Sequence, residues 1–211
     1  MLTPTLTPTL TATPTETPIT PSGPGATSTL FRAINLGGAS VTLDGHRWHS
    51  YTEALADGLT VSPTVNSWTG TYPVALQPPP SAEARQIVQS AIWRTVSATG
   101  QGFQLQQVLP SGHYEVYVTM GENFRANYRS LDLRLEGYTA ATGLADLPLG
   151  GWKRYGPFPV NVTDGVLSID VVRGVRGDPH LMGLEIYAVA SPTPTQVATE
   201  TPSAATATPV A

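Results

Sequence analysis

Through the middle of the chain, hydrophobic and polar residues alternate with a period of two. Tyr114, Val116, Val118 and Met120 alternate with Glu115, Tyr117 and Thr119, and Leu131, Leu133 and Leu135 with Asp132, Arg134 and Glu136. Leu167, Ile169 and Val171 alternate with Ser168 and Asp170, and Leu184, Ile186 and Ala188 with Glu185 and Tyr187. Successive side chains of a strand point to opposite faces, so each run predicts a strand with one dry and one wet face, as antiparallel sheets require. Pro110-Ser111-Gly112, Glu136-Gly137, Gly150-Gly151 and Asp164-Gly165 supply turn chemistry between them. Further strands are predicted over residues 30–36, 87–93, 103–109 and 156–160. Only residues 81–86, which follow Pro78-Pro79-Pro80, read as a short helix, with Ser81 as its cap. Many short strands and one minor helix predict an all-β fold, a two-sheet antiparallel jelly-roll sandwich.

The ends follow a different rule. Residues 1–27 cycle through Leu-Thr-Pro-Thr and Thr-Ala-Thr-Pro, and residues 191–211 return to the same vocabulary. Ten of the 20 prolines lie in these two segments, and Glu16 and Glu200 are their only charged residues. Proline lacks a backbone donor and threonine offers little apolar area, so neither end can offset the entropy of ordering. The expected organisation is a disordered Thr/Pro-rich linker over 1–27, one domain over 28–190 and a second such linker over 191–211. Stalk-like flanks of this kind suit an extracellular or cell-surface protein, and the chain is expected to be part of a longer multidomain one.

Charge and cysteine content narrow the classes further. Removing the two linker glutamates from 15 acidic residues leaves 13, against 11 basic ones, mixed along the chain. No basic run marks a phosphate track, so nucleic acid is not an expected partner. The chain has no cysteine, which excludes disulfides and thiolate metal sites. No apolar stretch approaches the ~20 residues of a membrane span, and Met1-Leu2-Thr3-Pro4 does not begin a signal peptide.

The order of the pieces carries a resemblance. The core opens with Phe31-Arg32-Ala33-Ile34-Asn35-Leu36-Gly37-Gly38, then Asp44-Gly45 and Trp48. It continues with Ile87-Val88-Gln89-Ser90-Ala91, Trp93, Gly112-His113-Tyr114-Glu115-Val116 and Met120-Gly121-Glu122-Asn123. It closes with Asp178-Pro179-His180-Leu181-Met182-Gly183-Leu184-Glu185-Ile186. In this succession residues 28–190 resemble the malectin-like domains, carbohydrate-binding modules with a galactose-binding-like jelly roll. Two departures stand out. Met120-Gly121-Glu122 replaces the family's Phe-Ala-Glu, and Ile92 stands where an arginine is expected, with Arg94 two residues on.

The resemblance implies a non-catalytic module that binds a mono- or oligosaccharide through loops at one end of the sandwich. It points to Tyr51, Trp93, Phe124 and Asp178 as ligand residues, with Glu122 and Tyr128 beside them and Asn123 and Arg125 on the same loop. The chemistry agrees, because a pyranose offers an apolar face for an aromatic ring and a rim of hydroxyls for carboxylates, amides or guanidinium groups. Phe124 and Tyr128 lie among Glu122, Asn123, Arg125, Asn127 and Arg129, where aromatics need a reason to be present. Trp93 also suits the core, and Asp178 before Pro179 also suits a turn. Trp48 is expected in the core, and Trp68 and Tyr72 are expected to cover the sandwich.

Other chemistry is weaker. Asp44, His46 and His49 invite a metal reading, but with no distant third ligand they read as a solvated loop. A structural calcium, a recurrent feature of galactose-binding-like folds, has Asp44, Asp57, Asp146 and Asp164 available and nothing to select among them. Asn161-Val162-Thr163 is a formal glycosylation sequon. Asp132, Glu136 and Asp170 fall on wet strand faces, not across a cleft, so no hydrolase is expected. The alternative to sugar binding is a protein-binding or spacer module of a surface receptor or adhesin, which a flat apolar patch on a sheet face would favour.

Overall fold

The computed structural model describes residues 28–190, so the linkers expected over 1–27 and 191–211 lie outside the described residues. Two large sheets enclose the core. The first has the order β11 (Trp152–Val162), β8 (Gly112–Gly121), β14 (Gly183–Val189), β1 (Ser28–Asn35), β3 (His46–Ser50) and β2 (Val41–Leu43). The second has the order β10 (Tyr138–Leu144), β9 (Ser130–Leu135), β12 (Val166–Arg176), β7 (Gly102–Val108) and β4 (Leu59–Ser62). Pairing is antiparallel throughout both sheets, except that β1 and β3 run parallel. Val116, Val118, Leu184 and Ile186 of the first sheet meet Leu105, Leu133, Ile169 and Val171 of the second, all sealed from solvent. These are the dry positions of the alternating runs, so the chain is the all-β sandwich that the alternation predicts. Among the described residues no helix is long and apolar enough to cross a membrane.

Turn chemistry sets the hairpins. Asp44 and Gly45 both take positive φ (52° and 77°) between β2 and β3, and Glu136 and Gly137 (50° and 79°) do so between β9 and β10. Two successive left-handed residues match the twist of the flanking strands. The first and last strands are neighbours, with Ser28 opposite Val189 and Asn35 opposite Gly183.

Several elements differ from expectation. Residues 87–93 do not form one strand. Helix α2 (Ala82–Val88), capped by the Ser81 side chain accepting from the Ala84 amide, runs through Ile87 and Val88 before strand β6 (Ser90–Trp93) begins. Tertiary packing explains this: Ile87 joins Ala33 and Trp48 in a cluster on the outer face of the first sheet, which a helix can cover and a strand there could not. Gly183 leaves room for that contact, since a Cβ on it would lie 2.9 Å from the Trp48 ring and 3.0 Å from Ile87. A second helix, α1 (Tyr51–Ala56), replaces the expected loop. Ser50 accepts from the Glu53 amide while Glu53 accepts from the Ser50 amide, a capping box. The supposed solvated loop at His46 and His49 is strand β3.

A third, small sheet joins β13 (His180–Leu181), β6 and β5 (Asn66–Thr69) at one end of the sandwich. It sits on a minor cluster of Leu76, Val88, Ala91 and Met182, with Tyr72 donating to the Val88 carbonyl. Gly37 brings the first sheet against it. Its φ is 84°, and a Cβ would stand 2.4 Å from the Ala91 carbonyl oxygen.

The packing predicts contrasting costs for truncation along the second sheet. Leu133→Ala, at a position with no exposed surface, lowers unfolding free energy by about 3 kcal/mol. Val108→Ala, at a position 60% exposed, changes it by no more than about 0.5 kcal/mol. Urea denaturation of both variants checks the difference.

Candidate ligand-binding cavity

Register builds the floor of the site. Trp68 on β5 lies opposite Ala91 on β6, and Trp93 lies opposite both Asn66 on β5 and His180 on β13. Opposed residues share a face, as do residues two apart on one strand, so Trp68, Ala91, Trp93 and His180 all face one side. Ala91 leaves a hollow between the two indoles. This hollow is the base of a cavity of about 260 Å³, and Asn123, Phe124, Tyr128, Arg129 and Asp178 complete its walls.

The walls are held by one buried ion pair. Arg129 donates from Nη1 to Oε1 of Glu122 at 2.6 Å, and the two side chains are 8% and 0% exposed. The same oxygen accepts from the Phe124 amide at 2.9 Å and the Arg125 amide at 3.3 Å. Arg129 also donates from Nε to the Asp178 carbonyl at 3.2 Å, and its guanidinium lies 5.3 Å from the centre of the Tyr128 ring. Arg125 covers the same ring at 4.5 Å, and Phe124 packs edge-on to it with centroids 5.0 Å apart. Asp178 is fixed in turn, its Oδ1 accepting from the Val96 amide at 3.1 Å. The rings are thus positioned before any ligand arrives. Phe124 is 62% exposed, which apolar packing alone does not explain.

Two buried side-chain atoms among the described residues have no hydrogen-bond partner, Nδ1 of His180 and Oε2 of Glu122, and both belong to this region. His180 lines the cavity and its Nε2 accepts from the Gly121 amide at 3.4 Å, which leaves the proton of the neutral ring on Nδ1. Burial, and secondarily the Arg129 charge, hold its pKa well below 6.5. A buried donor without a partner is a cost that the fold carries at this site.

Of the residues singled out in the sequence, Trp93, Phe124, Tyr128 and Asp178 come together around this cavity. Glu122 does not line it. It lies beneath, with no exposed surface, and acts through Arg129 and the loop amides. Tyr51 is not at the cavity either; it opens α1, and its half-buried ring packs against the main core, where burial raises its pKa. Trp68, expected to cover the sandwich, does so and also lines the cavity. Arg129 and His180 carry no role in the sequence reading. Their only signal there is position, an arginine closing the aromatic loop seven residues after Glu122 and a histidine beside Asp178-Pro179.

The remaining candidates disperse. Asp57 pairs with Arg32, Asp146 pairs with Arg176, and Asp164 accepts from the Val166 amide two residues on. Among the described residues no three His, Asp or Glu side chains gather as a metal site would require. Asp132, Glu136 and Asp170 accept local hydrogen bonds from the Gly143 amide, the Ser168 amide and the Gln104 side chain.

No protein-family model matches the chain, and no curated protein does. Solved structures do. The extracellular domain of ANXUR1 from Arabidopsis thaliana superposes with a TM-score of 0.60 at 12% identity, covering 77% of this chain and 49% of that one. The plant receptor-like kinase FER gives 0.59 at 16% identity, covering 77% and 50%. A β-glucuronidase of Bacteroides uniformis gives 0.53 at 16% identity, covering 75% of this chain and 18% of that one. The chain therefore spans about half the length of the plant structures. At such identities the likeness is one of fold alone, a β-sandwich shared with these plant structures, in keeping with the fold that the resemblance in the sequence implies.

The electrostatics make two predictions. Arg129→Met strands a carboxylate in the interior and lowers stability by about 3–5 kcal/mol, while adding Glu122→Leu recovers part of the loss; denaturant melts of the single and double variants check this. Because the folded His180 resists protonation more than the unfolded one, stability is full above pH 6.5 and falls as pH drops below it. The slope reaches at most about 1.4 kcal/mol per pH unit, and His180→Gln flattens it in the same melts run from about pH 7.5 to about pH 5.

Proposed function

We propose that this domain is a non-catalytic carbohydrate-binding module of an extracellular or cell-surface protein. The observation that carries the reading is the convergence of Trp68, Trp93, Phe124 and Tyr128 with Asp178 on one pre-formed cavity at the end of the sandwich. Stacked rings supply the apolar platform that a pyranose face needs. Asp178 and Asn123 supply acceptor and donor groups for its hydroxyls. Asp178 is the one carboxylate lining the cavity, whereas glycoside hydrolysis needs two facing carboxyl groups, so the site suits holding a sugar and not cleaving it. The fold shared with receptor ectodomains is compatible with a surface location.

A glycan array probed with the full chain tests this reading. Binding to at least one glycan is expected, weakened about tenfold or more by Phe124→Ala and by Trp93→Ala, since one stacked ring contributes on the order of 1 kcal/mol or more. Retained binding in both variants removes these rings from the site. Absence of any bound glycan removes the function.

A further inference from the structure

A second cavity, of about 530 Å³, opens on the other side of Tyr128 and Asp178, which line both. Its character is opposite to the first. Where the first presents indole and phenyl surfaces, the second presents Arg125, Arg173 and Arg176, with Thr95 and Asn127 between them. The guanidinium groups come from two segments, the loop after Glu122 and the end of β12, so the cluster is made by the fold and is not a run in the sequence.

The charges here are not balanced internally. Arg176 is paired with Asp146 at 2.7 Å and also donates to the Asn127 carbonyl. Arg173 donates only to a neutral group, the Val96 carbonyl, at 3.2 Å. Arg125 lies over Phe124 and Tyr128 and has no carboxylate partner among the described residues. Asp178 adds one negative group at the boundary, with one of its oxygens committed to the Val96 amide. Three cations thus face about two anions, in a chain whose formal net charge is −4. Such a local surplus, on side chains with forked donors, is matched by a carboxylate.

Resting on the carbohydrate reading of the first cavity, we infer that the ligand is an acidic oligosaccharide. One pyranose ring stacks in the aromatic cavity, and a neighbouring uronate places its C6 carboxylate among Arg125, Arg173 and Arg176. The shared wall of Tyr128 and Asp178 divides the two subsites. The first compartment alone is small, at about 260 Å³, while the second, at about 530 Å³, and the pair together fall in the range of ligand pockets, roughly 300–1,000 Å³.

The test uses the full chain and two probes of one linkage, cellobiose and cellobiouronic acid, which differ by a single C6 carboxylate, within an array of other neutral and C6-oxidised pairs. Titration by calorimetry is expected to favour the uronate member of a bound pair by about tenfold or more, the scale of one charge-assisted hydrogen bond. The preference shrinks as salt is raised. Arg173→Gln is expected to cut the preference severalfold, weakening the uronate member more than the neutral one, since Arg173 lines the second cavity and not the first. Equal binding of neutral and acidic members, or an undiminished preference in Arg173→Gln, overturns the inference while leaving the carbohydrate function standing. Displacement of the uronate by inorganic phosphate at equal concentration overturns it too, by reducing the cluster to a general anion trap. No binding of any glycan overturns both.

Discussion

The geometry of the site depends on a carboxylate that meets no water. Glu122 has no exposed surface, so every stabilising contact it has must come from the protein, and those contacts converge on one oxygen. Two loop amides and a guanidinium satisfy that oxygen only if residues 123–125 turn back over it and Arg129 reaches in from the far end of the loop. Arg129 then has donors and a planar face left over, and these are used on the Asp178 carbonyl and the Tyr128 ring. Desolvating two charges is costly unless all their partners are present, and this makes the arrangement intolerant of alternatives. Segments about fifty residues apart in the chain are thereby fixed relative to each other.

The floor is rigid for a different reason. It is a sheet of three very short strands, too small to stand alone. It borrows its order from the sandwich, through Gly37 pressed on Ala91, the Leu36 amide donating to the Met182 carbonyl, and the Met182 amide donating to the Thr119 carbonyl. The tryptophans are consequently held by the body of the protein, while the facing rings are held by a loop. A cavity of this make combines a fixed platform with a wall anchored at two points.

Much of this was legible in the sequence, and the limits have physical causes. The central strands β8, β9, β12 and β14 each have one face in the core, so their alternation is strong and their prediction sound. Strands β5 and β10 lie at sheet edges, where both faces stay partly wet and no alternation is required, while the edge strands β2 and β4 alternate over only three and four residues. Ile87 and Val88 read as strand because apolar periodicity over so few residues cannot separate a buried strand from a short covering helix. Helix α1 has a signal of its own in the sequence, the Ser50-x-x-Glu53 capping box. At the site, Phe124 and Tyr128 were legible because aromatics on a charged loop are out of place, and Trp93 and Asp178 through the ordered resemblance. Tyr51 and Glu122 shared that resemblance, but position along a chain does not report which way a side chain turns. Trp68, His180 and Arg129 depend on cross-strand register and a buried pair, and neither is visible until the sheets are assembled.

The pairing of Ser28 with Val189 has a steric consequence. Residues 28 and 189 lie at adjacent strand ends, while Asn35 and Gly183 mark the opposite end of the same two-strand ladder, roughly 20 Å away at about 3.3 Å per residue. Both ends of the described fold therefore sit at the pole away from the cavity, so a bulky ligand that reaches Trp93 and Phe124 does not crowd Ser28 or Val189.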